Sequence, residues 1–273
     1  MIRPIIVAAF LASAGARATE WVVDERLAPP FAQEDLRGVF VLLDREGERF
    51  ITNDPVRARR PFLPASTFKI LNSLIALEER AVADEHEVLA WDGTDHGSSG
   101  WNRDHSLESA FKASAVWFYQ EMARRVGEER MAHWLRLAEY GNAGIAGGID
   151  LFWLEGALRI TAEEQLLFLE RLHDGHVPFS QRVQDTVRRV MIAEEKSTHA
   201  VRAKTGWALR GEEGPTGWYV GWVERDGRAW FFALNCDLPR ERDGRVRIRV
   251  ARACLKALSV LQPGEHEILP RSN

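Results

Sequence analysis

The stretch Pro64-Ala65-Ser66-Thr67-Phe68-Lys69 leads directly into the apolar run Ile70-Leu71-Asn72-Ser73-Leu74-Ile75-Ala76-Leu77. This run predicts a buried helix, and a serine and a lysine three residues apart at its start lie on the same face. A serine hydroxyl is a weak nucleophile until a base lies within hydrogen-bond reach. Because burial disfavours the charged form of lysine, apolar neighbours would allow Lys69 to act as that base. We therefore predict that Ser66 is a nucleophile and that Lys69 is its base.

Ser-x-x-Lys is a short motif, and the chain contains a second copy, Ser109-Ala110-Phe111-Lys112. The apolar stripe of the helix predicted there includes Ala110 and Phe111 but neither Ser109 nor Lys112. We expect these two polar residues to be solvent-exposed and without a role in catalysis. Spacing alone does not separate the two copies, so the interpretation depends on the motifs elsewhere in the chain.

The composition is that of an ordinary globular protein with a large core. The chain has 273 residues, of which 45% are hydrophobic and 28% are charged. A chain of this length and composition can form one large domain or two lobes that share a site. The formal net charge is −4, with a sequence pI near 6.1. A slightly acidic chain gives no support for binding to nucleic acid or to an anionic membrane surface.

The first 18 residues have the pattern of a secretory signal peptide. Arg3 is the charged start, residues 5–14 form a short apolar core, and Ala16-Arg17-Ala18 is an A-x-A cleavage site. The apolar core is too short to span a bilayer. We predict a signal peptide over 1–18, a mature domain over 19–273 without a membrane anchor, and a periplasmic or secreted product.

Export makes a disulfide between Cys236 and Cys254 possible, because the compartments outside the cytosol are oxidising. Cys236 lies in a strand-like run and Cys254 in the last predicted helix. Two buried free thiols are the commoner arrangement for such a pair. The sequence leaves both states open and favours the free thiols slightly.

The order of predicted elements indicates an α+β fold. Two strands within 38–52 precede a mostly helical region over about 61–195, further strands occupy 200–237, and an amphipathic helix covers about 247–261. Strands at both ends of the chain with helices between them predict an antiparallel sheet flanked by helices, together with a mostly helical lobe.

Within the helical region, one continuous helix is expected to carry Ser114-Ala115-Val116 and to continue to Arg125. Thr161 is expected to cap a later helix, with Glu164 completing a capping box.

Another lysine motif, Lys204-Thr205-Gly206, stands at the end of a predicted strand. The glycine allows another part of the backbone to approach closely. Lys204 and Thr205 supply a charge and a hydroxyl that can hold a carboxylate. A serine with a nearby lysine, followed about 140 residues later by Lys-Thr-Gly, is the motif order of the penicillin-interacting serine enzymes.

The full set of motifs resembles one family. The motifs, in chain order, are Ser66-Thr67-Phe68-Lys69, Ser114-Ala115-Val116, Tyr140-Gly141-Asn142, Phe152-Trp153-Leu154-Glu155-Gly156, Lys204-Thr205-Gly206 and Gly217-Trp218-Tyr219-Val220-Gly221-Trp222-Val223. This order and spacing resemble the class D β-lactamases, or oxacillinases, over essentially all of the mature chain. The resemblance implies a β-lactamase/penicillin-binding transpeptidase-like fold.

The resemblance also implies catalytic roles. Ser66 would be acylated by the β-lactam carbonyl, with the backbone N–H groups of Ser66 and Trp207 forming the oxyanion hole. Lys69 would be carboxylated by CO2 to a carbamate that acts as general base, and no other cofactor is implied. The Trp153 indole would donate to the carbamate, and Ser114 with Lys204 would relay the proton. Val116, which the resemblance places with the substrate-binding residues, would cap the carbamate with apolar surface.

Further residues are assigned to the substrate. Thr205, Gly206 and Trp207 would bind it, and Tyr140 would shape the site. The resemblance assigns the substrate carboxylate to Arg247, but Arg249 would point the same way if this stretch were extended, so the sequence leaves both open. Several other residues are set aside: Glu155 is expected to be structural, and the eight histidines show no metal-ligand spacing, so no metal is expected.

The sequence therefore predicts a class D β-lactamase (EC 3.5.2.6) that hydrolyses the β-lactam amide bond through a serine acyl-enzyme and confers β-lactam resistance. Two other functions share the fold. A β-lactam sensor domain would be acylated but would scarcely turn over; such domains are tethered to transmembrane segments, whereas only a cleavable signal is expected here. A small penicillin-binding protein would act on peptidoglycan peptides, and the Trp153 segment and the Ser114-x-Val116 motif argue against it.

Overall fold

The computed structural model describes residues 20–262, so the predicted signal peptide and its cleavage site lie outside the described residues. Within this range the strands are β1 (Glu20–Val23), β2 (Gly38–Asp44), β3 (Arg49–Thr52), β4 (Val88–Leu89), β5 (His105–Ser106), β6 (Ile192–Glu195), β7 (Ala200–Ala208), β8 (Thr216–Arg225) and β9 (Arg228–Asp237). The α-helices are α1 (Ala28–Gln33), α2 (Pro55–Ala58), α3 (Lys69–Glu78), α4 (Leu107–Ala113), α5 (Val116–Val126), α6 (Glu128–Leu137), α7 (Ala162–His173), α8 (Gln181–Val190) and α9 (Val246–Ala257). Short 3-10 helices cover Glu25–Leu27 and Ala65–Phe68.

A seven-stranded sheet organises the molecule, in the strand order β1-β3-β2-β9-β8-β7-β6. Neighbouring strands are antiparallel throughout, apart from β1, which pairs in parallel with β3. A two-residue turn, Asp226-Gly227, joins β8 to β9, and both residues have the positive φ that a type I′ turn requires. The α+β class is confirmed, with a mixed sheet in place of a purely antiparallel one.

Both faces of the sheet are covered, because alternate side chains of a strand point to opposite faces. In β8, Trp218, Val220 and Trp222 belong to the core that includes the buried residues of α3, α5 and α7. Tyr219 and Val223 belong to a second core, which includes the buried residues of α9. The sheet therefore forms a rigid central layer, and the Lys-Thr-Gly motif lies on its strand β7.

The predicted helix through Ser114 is wrong: the chain forms two helices, α4 and α5, that meet at this residue. Ser114 has a left-handed φ of 54°, which the interior of an α-helix does not allow. The turn is closed by backbone hydrogen bonds from Ser114 N–H to Phe111 O and from Ala115 N–H to Ala110 O. The break therefore redirects the backbone at a predicted catalytic serine.

Other boundaries also differ from the expected ones. Strand β1 was not predicted, and β6 lies within the region that was expected to be helical. The small two-stranded sheet of β4 and β5 also lies within that region. Helix α9 ends at Ala257, four residues before the expected end. The capping box is confirmed, since Thr161 Oγ1 accepts from Glu164 N–H at 3.0 Å and the Glu164 carboxylate accepts from Thr161 N–H at 2.8 Å.

Cys236 and Cys254 are both buried, free cysteines. Burial raises the pKa of each thiol to about 12, so both are protonated at neutral pH. The slight preference for free thiols is confirmed. Over residues 20–262, the helices are all too short or too polar to cross a bilayer.

The Ser66 turn packs directly against strand β7. Ala65 precedes the serine with a left-handed φ of 49°, and its N–H donates to Trp153 O at 3.0 Å. A Cβ atom added at Gly206 would lie 2.9 Å from Pro64 O and 3.1 Å from the Thr67 methyl group. The absence of a side chain at Gly206 thus allows β7 to lie close enough to Ser66 for the two motifs to share one site.

Replacing Gly206 by alanine is expected to move β7 away from the Ser66 turn, because the nearest obstacle is a backbone oxygen. A shift of β7 that relieves this close contact would misplace the reacting groups, which should lower kcat/KM by about ten- to a hundredfold. Gly227→Ala is the control, since Gly227 lies in the β8–β9 turn with φ 73° and open space around it. The control should lose stability without losing kcat/KM; an equal loss of kcat/KM in both variants would contradict the proposed role of Gly206.

Candidate active site

Four predicted catalytic side chains converge on one buried point. Lys69 Nζ donates to Ser66 Oγ at 2.7 Å and lies 3.1 Å from Ser114 Oγ. Lys204 Nζ lies 3.0 Å from the same Ser114 hydroxyl. Ser66 and Ser114 are thus linked through one amine, and the two lysines are linked through one hydroxyl. The nucleophile and its candidate base have the hydrogen-bond contact that serine catalysis requires.

Lys69 is completely buried, and no salt bridge pairs its amine within residues 20–262. Desolvation, and then the charge of Lys204, hold the Lys69 pKa well below its usual range. Its other contacts are Ser114 O at 3.0 Å and the face of the Tyr119 ring, whose centroid lies 5.4 Å from Nζ. A neutral amine at this position can accept a proton from Ser66, or can react as a nucleophile itself.

Lys204 is also buried, with 5% of its surface exposed. Desolvation, and then the nearby charge of Arg247, lower its pKa to about 7. If both lysines donate to Ser114 Oγ, they occupy both of its lone pairs and leave its proton available for a third group. Ser114 can therefore pass a proton between Lys204, whose pKa is near neutral, and a group that approaches its hydroxyl on the side that the lysines leave open.

An aromatic wall closes the site behind Lys69. Phe68 packs against Phe152, Trp153 and Tyr140, with ring centroids 5.1, 5.3 and 5.9 Å away. The Trp153 side chain is fully buried, and its indole N–H has no hydrogen-bond partner among the described residues. A buried donor without an acceptor is unfavourable unless a further group satisfies it. The carbamate interpretation anticipates such a donor at Trp153; the Tyr140 hydroxyl is a second buried polar atom of the wall without a partner among the described residues.

Tyr140 belongs to this wall and has no exposed surface. Its ring packs edge-on against Phe168 at 5.0 Å, and burial raises the pKa of its hydroxyl. A side chain in this position supports Phe68 from behind, so the structure favours a packing role for Tyr140 over contact with a substrate.

The backbone is helical at both Arg247 and Arg249, so the two side chains lie on different sides of α9 and not on the same side as an extended stretch would place them. Arg247 Nη1 donates to Gly206 O at 3.0 Å, and its guanidinium lies over the Trp207 ring. Arg249 is turned away and pairs with Glu34 and Asp243. Two residues apart on a helix are separated by about 200°, which is why only one of the two arginines reaches β7.

Comparison with known proteins agrees with this geometry. The penicillin binding protein transpeptidase domain matches residues 40–256. β-Lactamase OXA-48 of Klebsiella pneumoniae is 43% identical over 244 residues, covering 89% of this chain and 92% of that protein. The chain belongs to the class D β-lactamases.

Solved class D structures share the whole fold. The class D β-lactamase YbXI from Nostoc is 42% identical, with a TM-score of 0.83 over 86% of this chain and 99% of that chain. FUS-1 (OXA-85), a class D β-lactamase from Fusobacterium nucleatum subsp. polymorphum, is 35% identical, with a TM-score of 0.84 over 88% and 99% of the two chains. The predicted family and fold are therefore confirmed.

Three further residues that the sequence analysis assigned to the site, Val116, Thr205 and Trp207, lie on α5 and β7. Val116 begins α5 next to the Ser114 turn, and Thr205 and Trp207 lie on β7 with partly exposed side chains. The Trp207 indole N–H donates to Leu238 O at 2.8 Å, which fixes its ring beside Arg247.

Residues that the sequence analysis set aside lie outside this centre. Glu155 is partly exposed, with Arg210 at 3.5 Å, and has no contact with the lysines. Lys112 is exposed and pairs with Glu108, as expected. Ser109, however, is half-buried, because its hydroxyl bonds the backbone N–H of Ser106 and the ring of His105. The prediction of an exposed Ser109 is wrong: it is a helix-capping residue.

Three residues near the site were not assigned any role from the sequence. Tyr119 and Phe111 place their rings over Lys69 and Lys204, each with a centroid 5.4 Å from the amine. Trp101 donates its indole N–H to Ala113 O at 2.9 Å, immediately before the Ser114 turn. The only signal for Tyr119 and Phe111 was an apolar helical stripe, which does not distinguish core packing from the wall of a site.

The low pKa of Lys204 has a consequence for stability. The amine has a pKa of about 7 in the folded protein, compared with about 10.4 in an unfolded chain. Between these values the unfolded chain binds more protons, so burial of Lys204 lowers the free energy of unfolding most at and below pH 7, and this loss shrinks as the pH rises toward about 10.4. Relative to Lys204→Met, the parent protein should therefore gain up to about 4 kcal/mol in free energy of unfolding between pH 7 and pH 10.

Urea unfolding at several pH values measures this difference. Lys112→Met is the matched control, because Lys112 is exposed and its removal should leave the pH dependence of the parent unchanged. A constant difference between the parent and Lys204→Met at all pH values would show that Lys204 titrates as an ordinary lysine.

Proposed function

We propose that this protein hydrolyses the amide bond of β-lactams through an acyl-enzyme on Ser66, with a carboxylated Lys69 as general base. The observation that carries the proposal is the contact between Lys69 Nζ and Ser66 Oγ at 2.7 Å inside a pocket that disfavours the ammonium form. Its relatives are named β-lactamases, which is consistent with this reaction and with β-lactam resistance.

Acylation begins when Ser66 Oγ loses its proton and attacks the β-lactam carbonyl carbon. Negative charge then develops on the carbonyl oxygen, and the backbone N–H groups of Ser66 and Trp207 are the donors that we assign to it. The amide C–N bond breaks to give an ester on Ser66, and water hydrolyses this ester in the second half of the reaction. Gly206 contributes by allowing β7, and with it Trp207, to lie close to the serine.

Carboxylation of Lys69 requires a neutral amine, since the nitrogen lone pair bonds to the carbon of CO2 and the nitrogen loses a proton. The depressed pKa of Lys69 makes that form accessible. The unpaired indole N–H of Trp153 is a suitable donor to the resulting anion, which would be costly to bury without hydrogen bonds. When formed, the carbamate supplies an anionic oxygen base in both halves of the reaction, and Val116 limits the access of water to it.

The leaving lactam nitrogen requires a proton, and Ser114 is the group we assign to its delivery. Its hydroxyl lies between Lys69 and Lys204 at 3.1 and 3.0 Å. The pKa of about 7 allows Lys204 to give up and regain a proton near neutral pH. The proton lost by Ser114 to the nitrogen can therefore be replaced from Lys204.

β-Lactams of the penicillin and cephalosporin classes carry a carboxylate beside the ring, and Thr205 and Arg247 are the residues that we assign to it. Arg247 lies against Gly206 and is stacked on Trp207, so its guanidinium is fixed next to Thr205. Burial lowers the Arg247 pKa to about 10, which still leaves the group charged at neutral pH. The signal-peptide pattern of residues 1–18 supports export, so we place the reaction in the periplasm or outside the cell.

Turnover of a chromogenic cephalosporin tests the proposed reaction. The parent protein should hydrolyse many equivalents of substrate, whereas a β-lactam sensor would stop after one equivalent per chain. Ser66→Ala should lose turnover and the covalent adduct detected by mass spectrometry, and Ser109→Ala, the same change in the other Ser-x-x-Lys motif, should retain both. A stable adduct on Ser66→Ala would remove Ser66 from the nucleophilic role.

Bicarbonate dependence tests the base. In degassed buffer the parent should lose activity and recover it on addition of bicarbonate, most strongly at low pH, where the carbamate is protonated and decomposes. Trp153→Phe keeps the aromatic packing but removes the donor, at a cost of about 1–3 kcal/mol. The bicarbonate concentration for half-maximal activity should therefore rise roughly tenfold.

Trp134→Phe serves as the matched control, since its indole donates to Glu79 on the surface of the helical region. This variant should respond to bicarbonate as the parent does. Equal rates in all buffers, together with no carboxylated lysine in the carbon-13 NMR spectrum, would show that Lys69 acts as a free amine.

A further inference from the structure

A cavity of about 300 Å³ adjoins the candidate site, and the proposed reaction uses only two of its lining residues, Lys204 and Thr205. Its walls come from the end of α4, the junction between α8 and β6, strands β7 and β8, and helix α9. It shares Lys204 and Thr205 with the catalytic centre, but neither Ser66 nor Lys69 lines it. The cavity is therefore a neighbour of the active site with walls of its own.

The shape of the sheet creates this space. Strand β7 continues to Ala208, but its pairing with β6 ends at Ile192 opposite Arg202, and the register shifts between Ile192 and Glu194. Beyond that point no strand covers the outer edge of β7 within the described part of the chain. Only side chains occupy the space between this edge and α9, and they leave part of it empty.

Arg252 lines the cavity and carries a buried guanidinium nitrogen without an acceptor among the described residues. The residue is 6% exposed, and its Nη1 donates to Glu194 at 2.7 Å. Its Nη2 is buried and has no hydrogen-bond partner among residues 20–262. Glu194 cannot readily serve both nitrogens, since it also accepts from Lys196 at 2.7 Å and lies 3.0 Å from His199. An unsatisfied guanidinium nitrogen in such a place favours an added oxygen anion.

The charges around the cavity favour the same kind of ligand. Arg252 and Lys204 line it, and Arg247 lies close enough to Lys204 to lower the pKa of that amine. Lys112, at the cavity edge, is balanced by Glu108. Glu194 is the one carboxylate in the lining, and three basic groups already share it. The surroundings therefore have an excess of positive charge.

The rest of the wall is mainly apolar. Val190, Ile192, Ala193 and Ile248 contribute aliphatic surface, and Phe111 contributes an aromatic ring. The volume is at the lower limit of small-molecule sites, which are about 300–1,000 Å³. A ligand that fits must be small, with an apolar body and one anionic end.

We propose that this cavity is a second binding site, which takes a small aryl or alkyl carboxylate with its acid group on Arg252 and its apolar body between β6 and α9. The proposal does not depend on β-lactam hydrolysis, because none of the groups that hold the ligand carries out that reaction. The carboxylate forms a charge-assisted hydrogen bond with Nη2, and the ion pair between Arg252 and Glu194 holds the guanidinium in place.

Binding of 4-fluorophenylacetate to the full-length mature chain, followed by fluorine-19 NMR, tests this proposal. The parent should show saturable binding, and the neutral amide of the same probe should bind about tenfold more weakly because it lacks the charge. Arg252→Met should weaken binding by about tenfold. Arg249→Met is the matched control on the same helix, and it should leave binding unchanged because Arg249 pairs with Glu34 and Asp243.

Two further variants keep the result decisive. Ala193→Trp adds bulk to the cavity lining at an exposed position, and it should also weaken binding even if Arg252→Met fails to fold. Arg247→Met removes the proposed substrate-carboxylate residue and should change the affinity less than twofold. Loss of binding in Arg247→Met but not in Arg252→Met would place the probe in the active site and overturn the proposal. No binding to the parent at millimolar probe would overturn it as well.

Discussion

The burial of Lys69 without a carboxylate partner anywhere in residues 20–262 is the constraint on which the site depends. A charged amine in that position would be expensive, so the pocket favours the neutral form, and the surrounding polar atoms are hydroxyls and a carbonyl. Lys204, the second buried lysine, adds to the effect because its charge opposes a charge on Lys69. The two amines and two serines form a connected set in which a proton can be held at several atoms, and that property suits a reaction in which Ser66 must lose a proton and a leaving nitrogen must gain one.

Two left-handed residues hold this set together. Ala65 and Ser114 both have positive φ without being glycine, a conformation that costs roughly 1–3 kcal/mol at each residue and persists only when the surroundings enforce it. Around Ala65 the enforcement comes from Trp153 O, so the residue with the unpaired indole also fixes the turn of the nucleophile. Around Ser114 it comes from the backbone closure of α4 and from Trp101, which bonds the preceding carbonyl. The strain lies in the backbone at Ala65, next to Ser66, and at Ser114, while the sheet and both cores provide the rigid support.

Sequence patterns predicted the parts of this arrangement that depend on local chemistry. The capping box at Thr161 is local, and it agrees with the structure. The break at Ser114 was missed, because the apolar spacing continues from α4 into α5 as though one helix were present. Strand β1 was missed because it is short and its pairing partner, β3, lies about 25 residues further along the chain. Ser109 was misjudged because helix periodicity describes a side chain's direction and not the hydrogen bonds that a first-turn serine makes.

By itself, the sequence determined which residues carry reactive groups: the serine and lysine at the start of α3, the lysine and glycine of β7, and the motif order that indicates the family. Such assignments need only residue type and spacing, because the chemistry belongs to the side chains. Only the tertiary structure decided that Lys69 and Lys204 meet at one hydroxyl and that Arg247 and not Arg249 reaches β7. It also decided that the Trp153 donor is buried without a partner in the described part of the chain. Each of these facts depends on contacts between segments far apart in the chain, and on the removal of water from between them. Local spacing in the sequence encodes neither these long-range contacts nor the removal of water. The shifted pKa values that make the site reactive therefore arise only after folding.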